Sequence, residues 1–141
     1  MVVGSLQLVV AAVAALDGNA CQSPLGPLYD AVLELHQDCL SLLRVAEHDP
    51  DRSILLVRES GSDDLLGRAI RAAAALLPTS GHAARTNLLR DVVRYLRVVR
   101  VLRPLRDRSD PRRAELWLLR AEAAMSRRWE AIDVSWSSVR Q

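Results

Sequence analysis

The sequence predicts an all-α fold, either a multi-helix bundle or a short helical array of five to seven helices. Apolar residues recur every three or four positions in long segments, and clusters of proline and glycine punctuate the chain between them. The one segment with the composition of a strand, residues 53–59, has no partner strand. With 141 residues, 50% hydrophobic and 26% charged, the chain is long enough to bury a core as a single helical domain, residues 1–141. This composition excludes disordered, collagen-like and disulfide-rich classes.

The first helix is expected over residues 2–17, where an almost uninterrupted apolar run ends at Gly18-Asn19. Because a helix that is apolar on all sides is normally covered on most of them, this helix belongs at the centre of a bundle or at an oligomer interface. The run has the length of the apolar part of a signal peptide, but no basic residue precedes it, since the first arginine is Arg44. We interpret it as a buried core helix. No segment reaches the roughly 18 apolar residues that a membrane span requires.

The second helix is expected to begin at Pro27, because proline fits the first turn, and to end near Glu47. Its apolar residues follow one another at alternating steps of four and three, which indicates a packing stripe. They are Leu28, Val32, Leu35, Cys39, Leu42 and Ala46. Three acidic residues, each about one turn after the last, lie on the opposite side: Asp30, Glu34 and Asp38.

Capping signals place the next two helices. Residues 53–59 follow Asp49-Pro50, a cap and first-turn pair, and are expected to form a short helix. Ser62 caps a further helix over residues 63–77, which is rich in alanine and leucine. The segment that begins at Pro78 ends it.

The C-terminal part of the chain predicts two or three more helices. One covers residues 83–102, and another starts at Asp110-Pro111 and reaches about residue 126. Residues 129–139 are again helical in pattern. Arg127-Arg128 between them is either a tight turn or a continuation of the helix.

Charge is distributed unevenly along the chain. All 19 basic residues are arginine, which together with the absence of phenylalanine is typical of a GC-rich coding region. Residues 1–84 hold 5 arginines and 10 acidic residues, a net charge of −5, whereas residues 85–141 hold 14 and 7, a net charge of +7. Such a division indicates either that the two halves attract each other within one fold or that a basic surface binds a polyanion.

The helix over residues 83–102 carries an arginine face. At about 100° per residue its members fall within roughly a third of the helix circumference. They are Arg90, Arg94, Arg97 and Arg100. Arginines at one-turn spacing can follow consecutive phosphates, with binding that is sensitive to salt and independent of sequence. They can equally pair with Asp30, Glu34 and Asp38 or with solvent.

Catalytic and metal-binding motifs are not found in the sequence. It contains no glycine-rich phosphate loop, nucleophile elbow or His-Glu-x-x-His motif. His36 and Cys39 have the spacing of two metal ligands, but no further ligands lie nearby in sequence, so we expect a buried histidine beside a buried cysteine and neither metal nor cofactor. Asp63 and Asp64 point about 100° apart on a helix and are explained by their place in its first turn. The remaining histidines lie in predicted loops: His48 and His82.

The three tryptophans, Trp117, Trp129 and Trp136, lie in the last 25 residues. Trp129 and Trp136 are seven residues apart and share a helix face, so they form either part of the core or an aromatic anchor for a protein partner. Residues 114–136 resemble a tetratricopeptide hairpin, with an early aromatic at Trp117, small residues at 121, 123 and 124, and Trp129-Glu130-Ala131-Ile132 in the second half. The resemblance implies two packed helices that bind another protein.

These observations favour a non-enzymatic protein–protein interaction module, which is an adaptor, a subunit or a self-associating domain. The partner-binding residues would be the three tryptophans. The alternative is a helical nucleic-acid binder that uses the arginine face, such as a small viral double-stranded RNA-binding protein. Cys21 and Cys39 do not make a disulfide framework, so we expect an intracellular protein, cytoplasmic or nuclear.

Overall fold

The computed structural model describes residues 2–16, 25–48, 62–79, 83–101 and 111–140. Over these residues the chain forms five α-helices and one 3₁₀ turn, with no strand, so the predicted all-α fold is confirmed. The helices are α1 (Val2–Leu16), α2 (Gly26–His48), α3 (Ser62–Leu76), α4 (Ala83–Val101) and α5 (Pro111–Arg140). The predicted helix at residues 53–59 lies outside the described residues.

The helix boundaries follow the local signals in the sequence. Pro27 lies in the first turn of α2, and α3 begins at Ser62. At the other end of α3, Pro78 lies within the 3₁₀ turn Leu77–Thr79. Proline has no N–H to donate to the preceding turn, so the α-helix ends before it. Proline also occupies the first position of α5, at Pro111.

The last helix is longer than either segment expected there. α5 is continuous through Arg127 and Arg128, so the continuation occurs and the tight turn does not. Residues 114–136, which resemble the tetratricopeptide hairpin, therefore lie in one helix, and the chain does not reverse direction between Trp117 and Trp136. Both arginines are good helix formers, whereas a turn at this position would need a residue such as glycine.

The five helices close into a ring. α1 packs against α2 and α3, α3 against α4, α4 against α5, and α5 against α2. Each helix turns its apolar stripe towards a common core, in which Leu6, Leu28, Leu88 and Ile132 are fully buried. Round the ring, α5 lies between α2, the most acidic helix by sequence, and α4, the most basic, although His36 on α2 also contacts Tyr95 on α4.

Among the described residues, α1 is covered on one side and open on the other, so it is less enclosed than the predicted buried core helix. Its inner face packs Leu6, Val9 and Val13 into the core. Its outer face is open because the ring leaves each helix with one side towards solvent. That outer face consists of Gly4, Gln7, Leu8, Ala11, Ala14 and Ala15.

Candidate functional site

The arginine face lies on the outside of the ring. All four of its members are exposed: Arg90, Arg94, Arg97 and Arg100. They face outwards because they lie between the apolar residues of α4 that face the core. Arg94 makes a long ion pair, 3.9 Å from Nη1 to Oδ1 of Asp91, one turn earlier on the same helix. Because Arg94 is half exposed and the contact is long, this pair contributes little to stability. The face therefore presents a row of guanidinium groups along about three turns of helix.

The acidic residues of the second helix lie apart from this row. Asp30 and Glu34 are exposed on α2, and the described residues include no ion pair between them and Arg90 or Arg97. Asp38 is half-buried and accepts a hydrogen bond from the hydroxyl of Ser5 on α1. Within the part of the chain that the structure describes, Asp30 and Glu34 therefore do not neutralise Arg90 or Arg97 by direct pairing.

An aromatic cluster joins α2, α4 and α5. The ring of Tyr29 stacks on Trp136 at 4.9 Å between centroids and lies 5.4 Å from Trp129. Its hydroxyl donates a hydrogen bond of 2.5 Å to Asp133. Because the pairs are seven residues apart on both helices, and α2 and α5 run antiparallel here, Tyr29 meets Trp136 while His36 meets Trp129.

The histidine of this cluster is buried. The His36 ring stacks on Trp129 at 5.2 Å, and its Nδ1 lies 2.8 Å from the hydroxyl of Tyr95 on α4. Burial lowers the pKa of His36 below its usual 6.5 and raises the pKa of Tyr95. When the neutral imidazole carries its hydrogen on Nε2, its Nδ1 accepts a hydrogen bond from the Tyr95 hydroxyl. The lowered pKa of His36 and the raised pKa of Tyr95 both favour the neutral forms that make this bond.

The sequence predicts a buried histidine beside a buried cysteine, and the structure confirms it. Cys39 lies one turn after His36 on the inner face of α2. Burial, and next the nearby charge of Asp38, raise the pKa of the Cys39 thiol to about 12. The thiol is therefore protonated at neutral pH and is a poor nucleophile and metal ligand. Among the described residues no group of three His, Cys, Asp or Glu side chains is placed to hold a metal.

The three tryptophans are only partly buried. All three are half-buried against the core: Trp117, Trp129 and Trp136. The ring of Trp136 stacks on Tyr29, and the ring of Trp129 stacks on His36. Among the described residues, the large apolar side chains that are most open to solvent lie elsewhere. They are Leu8 on α1, at 49% exposure, and Leu116, Leu119 and Val134 on α5.

Some of these contacts have a signal in the sequence and others have none. Tyr29 and His36 share a face of α2 and are seven residues apart, as are Trp129 and Trp136. This matching spacing is a sequence signal for the stacked cluster. The approach of Arg71 on α3 to Arg100 on α4 has no such signal, because it depends on how two helices pack. Cys21 and His82 lie outside the described residues.

Over the described residues, the chain is an all-α ring of five helices with an uncharged outer face on α1 and an arginine face on α4. None of the five described helices has the length and apolar character to cross a membrane. No protein-family model, curated protein or solved structure matches the chain.

Proposed function

We propose that the protein is a protein–protein interaction module that associates with a second copy of itself through α1. One observation supports this most strongly. α1 contains no charged residue, and it leaves half of the Leu8 side chain open to solvent. A helix that is apolar over most of its surface is stable in water when its remaining side is also covered, and the described residues of one chain cover one side of α1.

A second copy suits this face better than an unrelated partner. In a two-fold contact the same patch meets itself, so any charge on the patch would lie near its own copy and be repelled. The outer face of α1 has no charge to repel. Its small residues, Gly4, Ala11 and Ala15, fall on one line with Leu8 and allow the backbones of two helices to approach closely.

The test is the molar mass in solution. We expect a concentration-dependent dimer by light scattering coupled to size exclusion, and a monomer for the double variant Leu8→Glu with Ala11→Glu. Both residues are exposed, so the variant should keep its helical circular dichroism. The matched control places the same charges on the exposed side of α5, as Leu119→Glu with Ala123→Glu, and should still dimerise. A wild-type protein that is monomeric up to its solubility limit would refute the proposal.

A second candidate function is polyanion binding by the arginine face, and the exposure of all four of its arginines favours it. Guanidinium groups spaced by about one turn, 5.4 Å, along a straight helix can each reach a phosphate of a duplex. Because such contacts release counterions, the affinity falls steeply with salt and depends little on nucleotide sequence.

The second candidate is tested by gel shift with short RNA and DNA duplexes at several salt concentrations. The triple variant Arg90→Gln, Arg94→Gln, Arg97→Gln should weaken binding and reduce the slope of log affinity against log salt by about 3, one unit for each phosphate contact. A control variant removes the same charge from exposed positions on α2 and α5, as Arg44→Gln, Arg120→Gln, Arg127→Gln. Equal losses in the two variants would show that net charge, rather than the arginine face, drives binding.

A further inference from the structure

The outer face of α1 and the arginine face of α4 point away from each other. Round the ring, α3 lies between α1 and α4 on one side, and α2 and α5 lie between them on the other. Each helix turns its apolar stripe towards the common core, so its remaining side points away from the centre of the ring. Because α1 and α4 are two places apart among the five described helices, their outer sides are directed to nearly opposite ends of the ring.

The exposure of the side chains agrees with this arrangement. At about 100° per residue, Arg90, Arg94 and Arg97 lie within about 60° of the circumference of α4. The buried residues on the opposite side of that helix are Val92, Leu96 and Val99. On α1 the same period separates the exposed Leu8 and Ala11 from the buried side. Both outer faces therefore point outwards from the ring rather than towards a neighbouring helix.

Self-association through α1 would place the two arginine faces far apart. In a two-fold contact between α1 outer faces, each α4 lies on the side of its own chain that is remote from the contact. In regular rings of helices packed at 8–10 Å, the two α4 axes would be separated by about four helix spacings, on the order of 35 Å. The two arginine faces then point outwards at opposite ends of the dimer, so one straight duplex cannot lie on both.

The charges beside α1 also favour two separate binding faces. α2 and α3 flank α1 in the ring, so their exposed sides would border the contact between two copies. The described exposed charges of these flanks are of both signs: Asp30, Glu34 and Arg44 on α2, and Asp64, Arg68 and Arg71 on α3. On α4, by contrast, Arg90, Arg94 and Arg97 follow one another with no exposed acidic residue between them. The phosphates of a duplex are therefore attracted most strongly to α4, away from the contact.

We infer that a dimer joined through α1 bridges two separate nucleic-acid duplexes, with one duplex on the arginine face of each copy. The inference rests on both proposed functions, self-association through α1 and duplex binding by the arginine face. It goes beyond them because neither predicts how many duplexes one assembly holds. The placement of α1 and α4 on far sides of the ring makes the dimer a cross-linker of duplexes instead of a clamp on one duplex.

The experiment measures capture of a second duplex by the full chain. One duplex of about 20 base pairs, two turns of helix, is immobilised, and a fluorescent duplex of the same length is added with the protein at low salt. Wild-type protein should retain the fluorescent duplex. The retained fluorescence should rise with protein concentration and fall again when dimers outnumber duplexes, because each duplex then occupies a dimer of its own. Non-specific aggregation would not give this decrease.

Two charge-matched variants separate bridging from binding. Leu8→Glu with Ala11→Glu should be monomeric and should shift a single duplex as well as the control Leu119→Glu with Ala123→Glu, yet only the control should retain the fluorescent duplex. Equal retention by both variants would refute the inference. Weaker binding of a single duplex by the α1 variant than by its control would show that both faces hold one duplex, and would refute it too.

Failure of the inference can be told apart from failure of the functions on which it rests. Light scattering and gel shift on the same wild-type sample report dimerisation and duplex binding independently. A wild type that dimerises and shifts a duplex but retains no second duplex refutes bridging alone. A wild type that is monomeric, or that shifts no duplex at low salt, refutes the corresponding proposed function and bridging with it.

Discussion

At the scale of single residues, His36 makes a specific polar contact inside the core. Its Nδ1 is held by the Tyr95 hydroxyl at 2.8 Å, its ring is stacked on Trp129, and burial lowers its pKa. In the unfolded chain the same imidazole is exposed and titrates near 6.5. A group whose pKa is lower in the folded state binds fewer protons there, so protonation favours the unfolded chain.

The consequence is acid sensitivity in a defined range. The free energy of unfolding should be unaffected by His36 above pH 6.5 and should fall as the pH drops from 6.5 towards the lowered folded pKa. Urea unfolding of the wild type at a series of pH values measures this.

The variant His36→Phe keeps a ring against Trp129 and cannot titrate. It should be less stable at neutral pH, by about 1–3 kcal/mol for the unpaired Tyr95 hydroxyl, and its stability should change less with acid. Parallel pH profiles for the two proteins would exclude His36 as the source.

At the scale of the elements, Gly67 interrupts the helix-forming sequence of α3. Glycine in a helix interior costs up to about 1 kcal/mol relative to alanine. The added methyl would meet Arg71 and Arg100 at 3.5 Å or more, an ordinary contact, so Gly67→Ala should raise the free energy of unfolding by a fraction of 1 to about 1 kcal/mol. Chemical denaturation measures it. A loss of stability in Gly67→Ala would show that the contacts of the added methyl with Arg71 and Arg100 are strained.

Also at this scale, the aromatic cluster is the main side-chain link between α2 and α5. Trp129 lies against Tyr29, His36 and Tyr95 at once. Trp129→Ala should therefore lower the free energy of unfolding by about 2–4 kcal/mol. Trp117→Ala removes an equally large, half-buried side chain of the same helix, for which the described residues give no ring contact, and should cost less. Thermal unfolding followed by circular dichroism ranks the two variants, and the reverse order would contradict the role given to the cluster.

At the scale of the whole molecule, closure of the ring makes each helix depend on two neighbours. α5 covers the gap between α4 and α2, so its departure would expose the core to solvent. We therefore expect one cooperative unfolding transition, as is usual for domains below about 150 residues. All three tryptophans lie in α5, so their fluorescence reports on that helix, while far-ultraviolet circular dichroism reports on all five. The two unfolding curves should coincide, and an earlier fluorescence transition would show that α5 leaves the ring first.

The local patterns were sufficient for the all-α class and for most helix ends. A stripe such as Leu28, Val32 and Leu35 marks the buried side of a helix because the period of the helix is fixed at 3.6 residues. Proline at positions 27, 78 and 111 marks boundaries for an equally local reason. The exposure of the arginine face of α4 follows from the same helical period, because the residues between buried positions must face outwards.

Which faces meet was decided only by the tertiary structure. Several features depend on how the ridges of one helix fit the grooves of another. They are the order of helices round the ring, the position of His36 between Trp129 and Tyr95, the uncovered side of α1 and the approach of Arg71 to Arg100. That fit involves residues far apart in the chain, and the period of one segment does not determine which other segment it meets. The sequence by itself determined that there are helices and which side of each is apolar, because both depend on neighbours within about one turn; the partners of each side depend on the whole chain.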